Sequence, residues 1–586
     1  MKLSLVLATV CAAAVVAEPQ DLQSAKSNWT VGQTVRTSSG PVSGHPASNQ
    51  SQVSEYLGIP FGRPPVGNLR FAAPVRFNGT AHLNGSDFGF SCPVKPSSSP
   101  TPSPPDLAAA NVSVVGVEVL GILGNSKAKY SEDCLYLNVW TKPQVGERKK
   151  AVMVWIYGGG FNSGSSTIRG YNGANIVELE DVVVVSMNYR LSILGFPGDP
   201  GGTQNLGLLD QRLAVEWVRD NIAGFGGDPS RIILFGQSAG AASIDYYSYA
   251  WNSDPIAAGF IPESGTAFSF GLPNSNSSAA GAWFNVTSTL GCGNATSNSS
   301  AVLSCMRSKN YTSIFNAVPA SNGIAGILGT FGPTVDDKVI FSNYSQRTPV
   351  KLPMMLGNNN YEAGLFRTEF ALDGITYPDA FWDTFNLQEF TCPAGIRANA
   401  SVAAGNPTWR YRYFGVFPDL AISTEAGTWH AAEVPLLFDT VPPVPGPTKQ
   451  EIAIGNYMRG AWAAFAKDPV NGLTAYGWPL YNASAPTLIR LAYNNQTGTN
   501  AALPSLYDAA CVYVNVSSTN TSAYSTLPSM PTATATRVQG SSTTGSVTGS
   551  VTANTASSTP TQSSEGRRLE ASLYVVVTAG LIAWML

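Results

Sequence analysis

The sequence predicts an α/β protein with a large, mostly parallel central sheet flanked by helices, and three apolar stretches with one intervening helix predict it. Residues 151–157 (AVMVWIY), 181–189 (DVVVVSMNY) and 231–235 (RIILF) are short runs rich in branched apolar side chains. Continuous rather than alternating apolarity is what a strand covered on both faces needs. Between the second and third runs, residues 205–222 set Leu206, Leu209, Leu213, Val215, Trp217 and Val218 mainly along one helical stripe, with residues 221–227 as the stop. Strand, helix, strand in that order implies parallel strands joined by helical crossovers.

Composition narrows the class of protein. The 586 residues carry 34 Lys and Arg against 37 Asp and Glu, a formal net charge of −3, with no long basic run, so a nucleic-acid partner is not expected. Charged residues are only 12% of the chain while Ser, Thr, Asn and Gly abound, which suits a surface solvated by sugars. About sixteen Asn-x-Ser/Thr sequons between Asn28 and Asn520 agree with that.

The two ends carry export signals. Residues 1–17 hold Lys2, an apolar run and a terminal Ala17, the form of a secretory signal peptide. Its removal leaves Cys92, Cys134, Cys292, Cys305, Cys392 and Cys511, an even set suited to an oxidising compartment, with every pairing open at this point. Residues 18–514 read as the α/β unit. Residues 515–564 are dominated by Ser and Thr and cannot bury a core, so they read as a disordered stalk. Residues 565–586 end in an apolar run shorter than the ~20 residues of a membrane-spanning helix. That run matches the ~10–20-residue tail of a removed glycosylphosphatidylinositol signal, the alternative being a hydrophobic tail anchor. Contact with a membrane is expected only through this C-terminal anchor.

Directly after the third apolar run stands Gly236-Gln237-Ser238-Ala239-Gly240, the Gly-x-Ser-x-Gly pattern in which glycines let the chain turn tightly and hold the serine hydroxyl above the sheet. Directly after the first run stands Gly158-Gly159-Gly160. Consecutive glycines allow backbone amides to converge on one point, as an oxyanion forming from an ester carbonyl requires. Gly159, Gly160 and Ala239 are the expected donors.

Several segments together resemble the type-B carboxylesterase and lipase family, which includes cholinesterases and the non-catalytic neuroligins. The residues from Phe225-Gly226-Gly227-Asp228-Pro229 through Gly240 resemble its serine-site signature, and Glu132-Asp133-Cys134-Leu135-Tyr136-Leu137-Asn138-Val139 resembles its second signature. Gly58-Ile59-Pro60-Phe61 and Leu69-Arg70-Phe71 match as well. The resemblance implies an α/β-hydrolase fold, with residues 35–59 on a small antiparallel sheet ahead of the main one. It further implies cleavage of small-molecule or lipid carboxylic esters with no metal and no cofactor. Disulfides Cys92–Cys134, Cys292–Cys305 and Cys392–Cys511 are implied in the same way.

The hydrolase order of serine, acid and then histidine leaves His430 as base, because His45 and His82 precede Ser238. Between Ser238 and His430 many carboxylates compete, among them Asp336, Asp337, Asp373, Asp383 and Glu425. Composition does not choose among them. The loop Gly357-Asn358-Asn359-Asn360-Tyr361-Glu362 resembles the family's acid loop and implies Glu362. Gln237 stands where cholinesterases carry glutamate, and no Trp lies between Cys92 and Cys134, which speaks against choline esters. Residues 114–123 (VVGVEVLGIL) read either as a lid that could meet lipid or as a packed surface segment. A neuroligin-like adhesion protein is the alternative function, and the intact triad and glycine loop weigh against it.

Overall fold

The computed structural model describes residues 29–516, other than 97–101, 125–127, 148, 272, 321–326, 328 and 515. The expected signal peptide, the tail and, apart from residue 516, the stalk lie outside the described residues.

Thirteen strands form two sheets among the described residues. The small sheet joins β1 (Val35–Thr37), β2 (Gly40–Ser43) and β5 (Leu83–Asn84). The large one holds β3 (His45–Pro46), β4 (Ser54–Pro60), β6 (Tyr136–Thr141), β7 (Lys150–Ile156), β8 (Val183–Met187), β9 (Gly227–Gln237), β10 (Gly259–Glu263), β11 (Met354–Asn359), β12 (Thr408–Tyr413) and β13 (Leu488–Leu491). Its order is β13-β12-β11-β10-β9-β7-β8-β6-β4-β3. From β13 to β8 every neighbouring pair is parallel, and β6, β4 and β3 follow antiparallel.

The three apolar runs are adjacent strands β7, β8 and β9, and the helix expected between the last two spans Leu206–Asn221. Every residue of β7 and β8 is buried, which is why no alternation is visible in their sequences. The amino-terminal expectation needs narrowing. A small sheet is present, but β2 and β5 pair in parallel, and β3 and β4 belong to the large sheet, β4 lying antiparallel to β6. Apolar content on both faces of β4 (SEYLGIP, almost wholly buried) drives it into the larger core.

Two segments singled out by motif lock together: Arg70 forms a part-buried, two-pronged ion pair with Glu132, its Nε donating to Oε2 at 2.6 Å. Disulfides join Cys92–Cys134, Cys292–Cys305 and Cys392–Cys511, spanning 42, 13 and 119 residues. Residues Val114–Leu123 form a helix capped by Ser113. Its Val117, Val119, Leu120, Ile122 and Leu123 are buried, and Gly116 packs so closely on the Ile422 carbonyl that a Cβ would lie 2.1 Å from the oxygen. Of the two readings for this segment, the described conformation is the packed one.

Candidate active site

Parallel strands present their carboxyl ends along one edge of the sheet, and loops leaving that edge can converge. Here the loops after β7, β9, β10 and β11 do so, and the loop carrying His430 folds over them.

β9 runs into Ser238, which adopts φ 59° and ψ −123°, and the helix Ala239–Ala250 begins immediately after it. A positive φ is costly for a non-glycine residue and persists only when its surroundings hold it. Two contacts do so: Ser238 N donates to the Glu263 carbonyl at 2.8 Å, and Ser238 O accepts from Ala242 N at 2.9 Å. The flanking glycines are needed for space. A Cβ on Gly240 would lie 2.0 Å from the Ile156 carbonyl oxygen, and one on Gly236 would lie 2.4 Å from the same atom.

The loop after β7 abuts the serine, since a Cβ on Gly158 would lie 2.7 Å from Ser238 Cβ. Gly159 (φ 110°) and Gly160 (φ 58°) take left-handed backbone conformations that favour glycine. The Gly159 carbonyl turns away from the site to accept from Asn162 N and Ser163 N at 3.0 and 2.9 Å. Among the described residues, no protein acceptor takes up the amides of Gly159, Gly160 or Ala239. Those three N–H groups are available to an anionic oxygen.

His430 Nδ1 lies 2.6 Å from Glu362 Oε2, both side chains being buried. Glu362 Oε1 accepts from Ser264 Oγ at 2.6 Å and from Asn359 N at 2.5 Å, so the carboxylate is fixed on three sides. Asn359 also ties the histidine loop down, its Nδ2 donating to the Trp429 carbonyl at 2.7 Å and to Glu433 Oε2 at 2.5 Å. The rings of Phe366 and Phe390 pack on the imidazole with centroids 5.2 and 5.0 Å away. His430 Nε2 meets Gln237 Nε2 at 3.0 Å, and no hydrogen bond links it to Ser238 Oγ in this conformation.

Behind this constellation lie two more buried carboxyls. Burial, reinforced by the neighbouring Glu362 charge, holds Glu433 well above the ordinary carboxylate range. Burial and then Glu433 do the same to Glu263, which accepts from Trp462 Nε1 at 2.8 Å. Each acid leaves one oxygen without a partner, as suits a neutral carboxyl.

Of the residues expected from the sequence, Glu362 and His430 are in direct contact, while Ser238, Gly159 and Gly160 lie at the neighbouring turns. The two other histidines are engaged locally: His45 Nδ1 faces the Pro46 carbonyl at 2.9 Å and His82 Nε2 the Ser43 hydroxyl at 2.9 Å. Asp336 serves its turn, its Oδ1 accepting from the amides of Lys338, Val339 and Ile340. Ser264, Asn359, Phe366, Phe390 and Glu433 were not foreseen as site residues. Position at the carboxyl end of a strand could have flagged Ser264 and Asn359, since those ends face the site.

A family model described as the carboxylesterase family matches residues 31–377. The chain belongs to that family. It is similar to a chlorogenic acid esterase of Aspergillus niger, 35% identical over 455 residues that cover 75% of this chain and 84% of the relative. It is also similar to secreted lipase 5 of Gibberella zeae, 32% identical over 506 residues covering 80% and 92%. An acetylcholinesterase of Bungarus fasciatus is 28% identical over 537 residues, covering 79% and 82%. Among the described residues no group of three or more His, Cys, Asp and Glu side chains is arranged to hold a metal ion.

Proposed function

We propose that this carboxylic ester hydrolase acts through an acyl-enzyme on Ser238, with His430 as general base and Glu362 as the group that orients it. The observation that carries the reading is the 2.6 Å contact of Glu362 with His430 Nδ1, made beside a strained serine turn and three unpaired amides. A carboxylate on Nδ1 keeps the ring proton there and leaves Nε2 free to accept.

In the proposed sequence His430 Nε2 takes the Ser238 proton as Oγ adds to the ester carbonyl carbon. The resulting oxyanion is held by the amides of Gly159, Gly160 and Ala239, and losing one such donor typically costs ~3–4 kcal/mol of transition-state stabilisation. The imidazolium then passes its proton to the leaving alcohol as the C–O bond breaks. Water, deprotonated by the same imidazole, releases the acid and restores Ser238.

The substrate class is a small-molecule or lipid carboxylic ester, in keeping with relatives named as a chlorogenic acid esterase and a secreted lipase. The chain is further proposed to be exported and held at the cell surface, with 1–17 removed, 18–514 as the catalytic unit, 515–564 as a stalk and 565–586 as an anchor signal. Support comes from the leader pattern, the paired cysteines and the secreted relative.

The test is turnover of p-nitrophenyl esters of increasing acyl length by the purified protein, Ser238→Ala and Glu362→Gln. Ser238→Ala is expected to lose all measurable burst and turnover, and Glu362→Gln to lose ~10⁴ in kcat because the amide no longer fixes the tautomer. Undiminished turnover by Ser238→Ala would overturn the reading.

A further inference from the structure

We infer that Gln237 is a positioning residue for the general base, donating a carboxamide hydrogen bond to Nε2 of the unreacted His430 imidazole. The inference rests on the serine-triad reading above and deepens it.

The argument follows from the tautomer. Nδ1 faces a carboxylate oxygen at 2.6 Å, so the ring proton of a neutral His430 resides on Nδ1 and Nε2 bears a lone pair. The group 3.0 Å from Nε2 must therefore donate, and the amide nitrogen of Gln237 is placed to do so. Gln237 is buried, and its amide oxygen lies on the side of the glycine loop, 3.1 Å from where a Cβ of Gly158 would stand. The bond exists only while the imidazole is neutral. Once Nε2 takes the serine proton it becomes a donor and two N–H groups no longer fit, so Nε2 turns to an oxygen of the reacting ester or of Ser238 while the Gln237 amide oxygen stays on the side of the glycine loop, unless the carboxamide rotates to accept.

The other groups about the imidazole are Glu362 on Nδ1, Glu433 behind it across Asn359, and the uncharged rings of Phe366 from the helix Ala363–Leu372 and of Phe390. Tyr411 on β12 faces the same carboxylates. Among the described residues Gln237 is the side chain placed to donate to Nε2, and a donor there suits an unprotonated nitrogen. A glutamate there would do the opposite, favouring the imidazolium and removing the base at acid pH.

The test is the acid limb of the pH profile of kcat/KM for wild type, Gln237→Glu and Gln237→Met, on a p-nitrophenyl ester with Ser238→Ala as blank. The limb is expected to move to higher pH by about one unit or more in Gln237→Glu and by a smaller amount in Gln237→Met, so that the charged variant loses about tenfold at the acid foot. A limb in Gln237→Glu within about 0.3 unit of wild type, or shifted downward, overturns the inference. Loss of rate with an unmoved limb also overturns it, since that reports packing alone. If Gln237→Glu does not fold, Gln237→Met decides by the same upward shift or its absence. Turnover surviving in Ser238→Ala would instead sink the serine-triad reading itself, so the two failures are told apart.

Discussion

Gly240 offers the sharpest quantitative test of how the proposed nucleophile is held. It is the second residue of the helix Ala239–Ala250, and a Cβ there would lie 2.0 Å from the Ile156 carbonyl oxygen, 2.7 Å from its carbon and 2.9 Å from the Tyr157 oxygen. All three are backbone atoms, so no rotamer change relieves the overlap. Reaching an ordinary contact of 3.4 Å requires the start of the helix to separate from the end of β7 by roughly 3.4 − 2.0 = 1.4 Å. Ser238 and Ala239 sit at that point. A displacement of about 1 Å at a reacting group costs on the order of 10²-fold in rate, so Gly240→Ala is expected to lower kcat at least ~100-fold. Overpacking should remove about 1–3 kcal/mol of stability as well. The assay is kcat on a p-nitrophenyl ester together with thermal unfolding. Gly281→Ala is the control, because no atom lies within 4 Å of its added Cβ in the helix Asn276–Thr289, and it should stabilise by about 0.5–1 kcal/mol with kcat unchanged. A Gly240→Ala enzyme retaining a third or more of wild-type kcat would refute the packing argument.

Further outcomes follow from burial and cross-linking. Glu433 is pushed up to about 8 by burial and by Glu362, from an ordinary 4.5 in the unfolded chain, so the folded state binds the extra proton. Its contribution is therefore fully present below about 4.5 and is lost as pH rises toward about 8. Thermal unfolding of wild type should show falling stability across that window, and Glu433→Gln, neutral at every pH, should flatten the fall; an unchanged slope in the variant would count against a neutral buried acid. The Cys392–Cys511 bridge closes 119 residues, and the Cys392→Ala, Cys511→Ala double variant should lose about 2–5 kcal/mol in denaturant unfolding. The bridge that spans 13 residues, Cys292–Cys305, closes a shorter loop, and breaking it should cost less. Equal losses from the two would contradict a loop-entropy origin.

Much of the sheet edge at the candidate site could be read before any coordinates because its signals are local. Gly236 to Gly240 must turn within five residues, and only glycine fits at the two ends of the turn, so the elbow is written in the chain. β7, β8 and β9 were equally plain, since a strand buried on both faces needs unbroken apolar sequence. β4 was harder. Its partner β6 lies some 80 residues away in sequence, and nothing in residues 54–60 says which sheet will take them. Ser264 and Asn359 were missed for a related reason: polar residues at strand ends are common, and their value depends on which carboxylate folds against them.

The sequence by itself determined the class of fold and the tight turn of Gly236 to Gly240 after a strand, while the choice of Glu362 and His430 as partners came through the family resemblance. Tertiary structure alone decided that Gln237 meets His430 Nε2, that Ser264 and Asn359 hold the Glu362 carboxylate beside His430, and that Glu433 and Glu263 lie buried behind them. The division has a physical cause. Backbone conformation and strand burial are set by neighbours in the chain, whereas a hydrogen bond between Gln237 and His430, 193 residues apart, exists only once a sheet has brought separate strand ends to one edge.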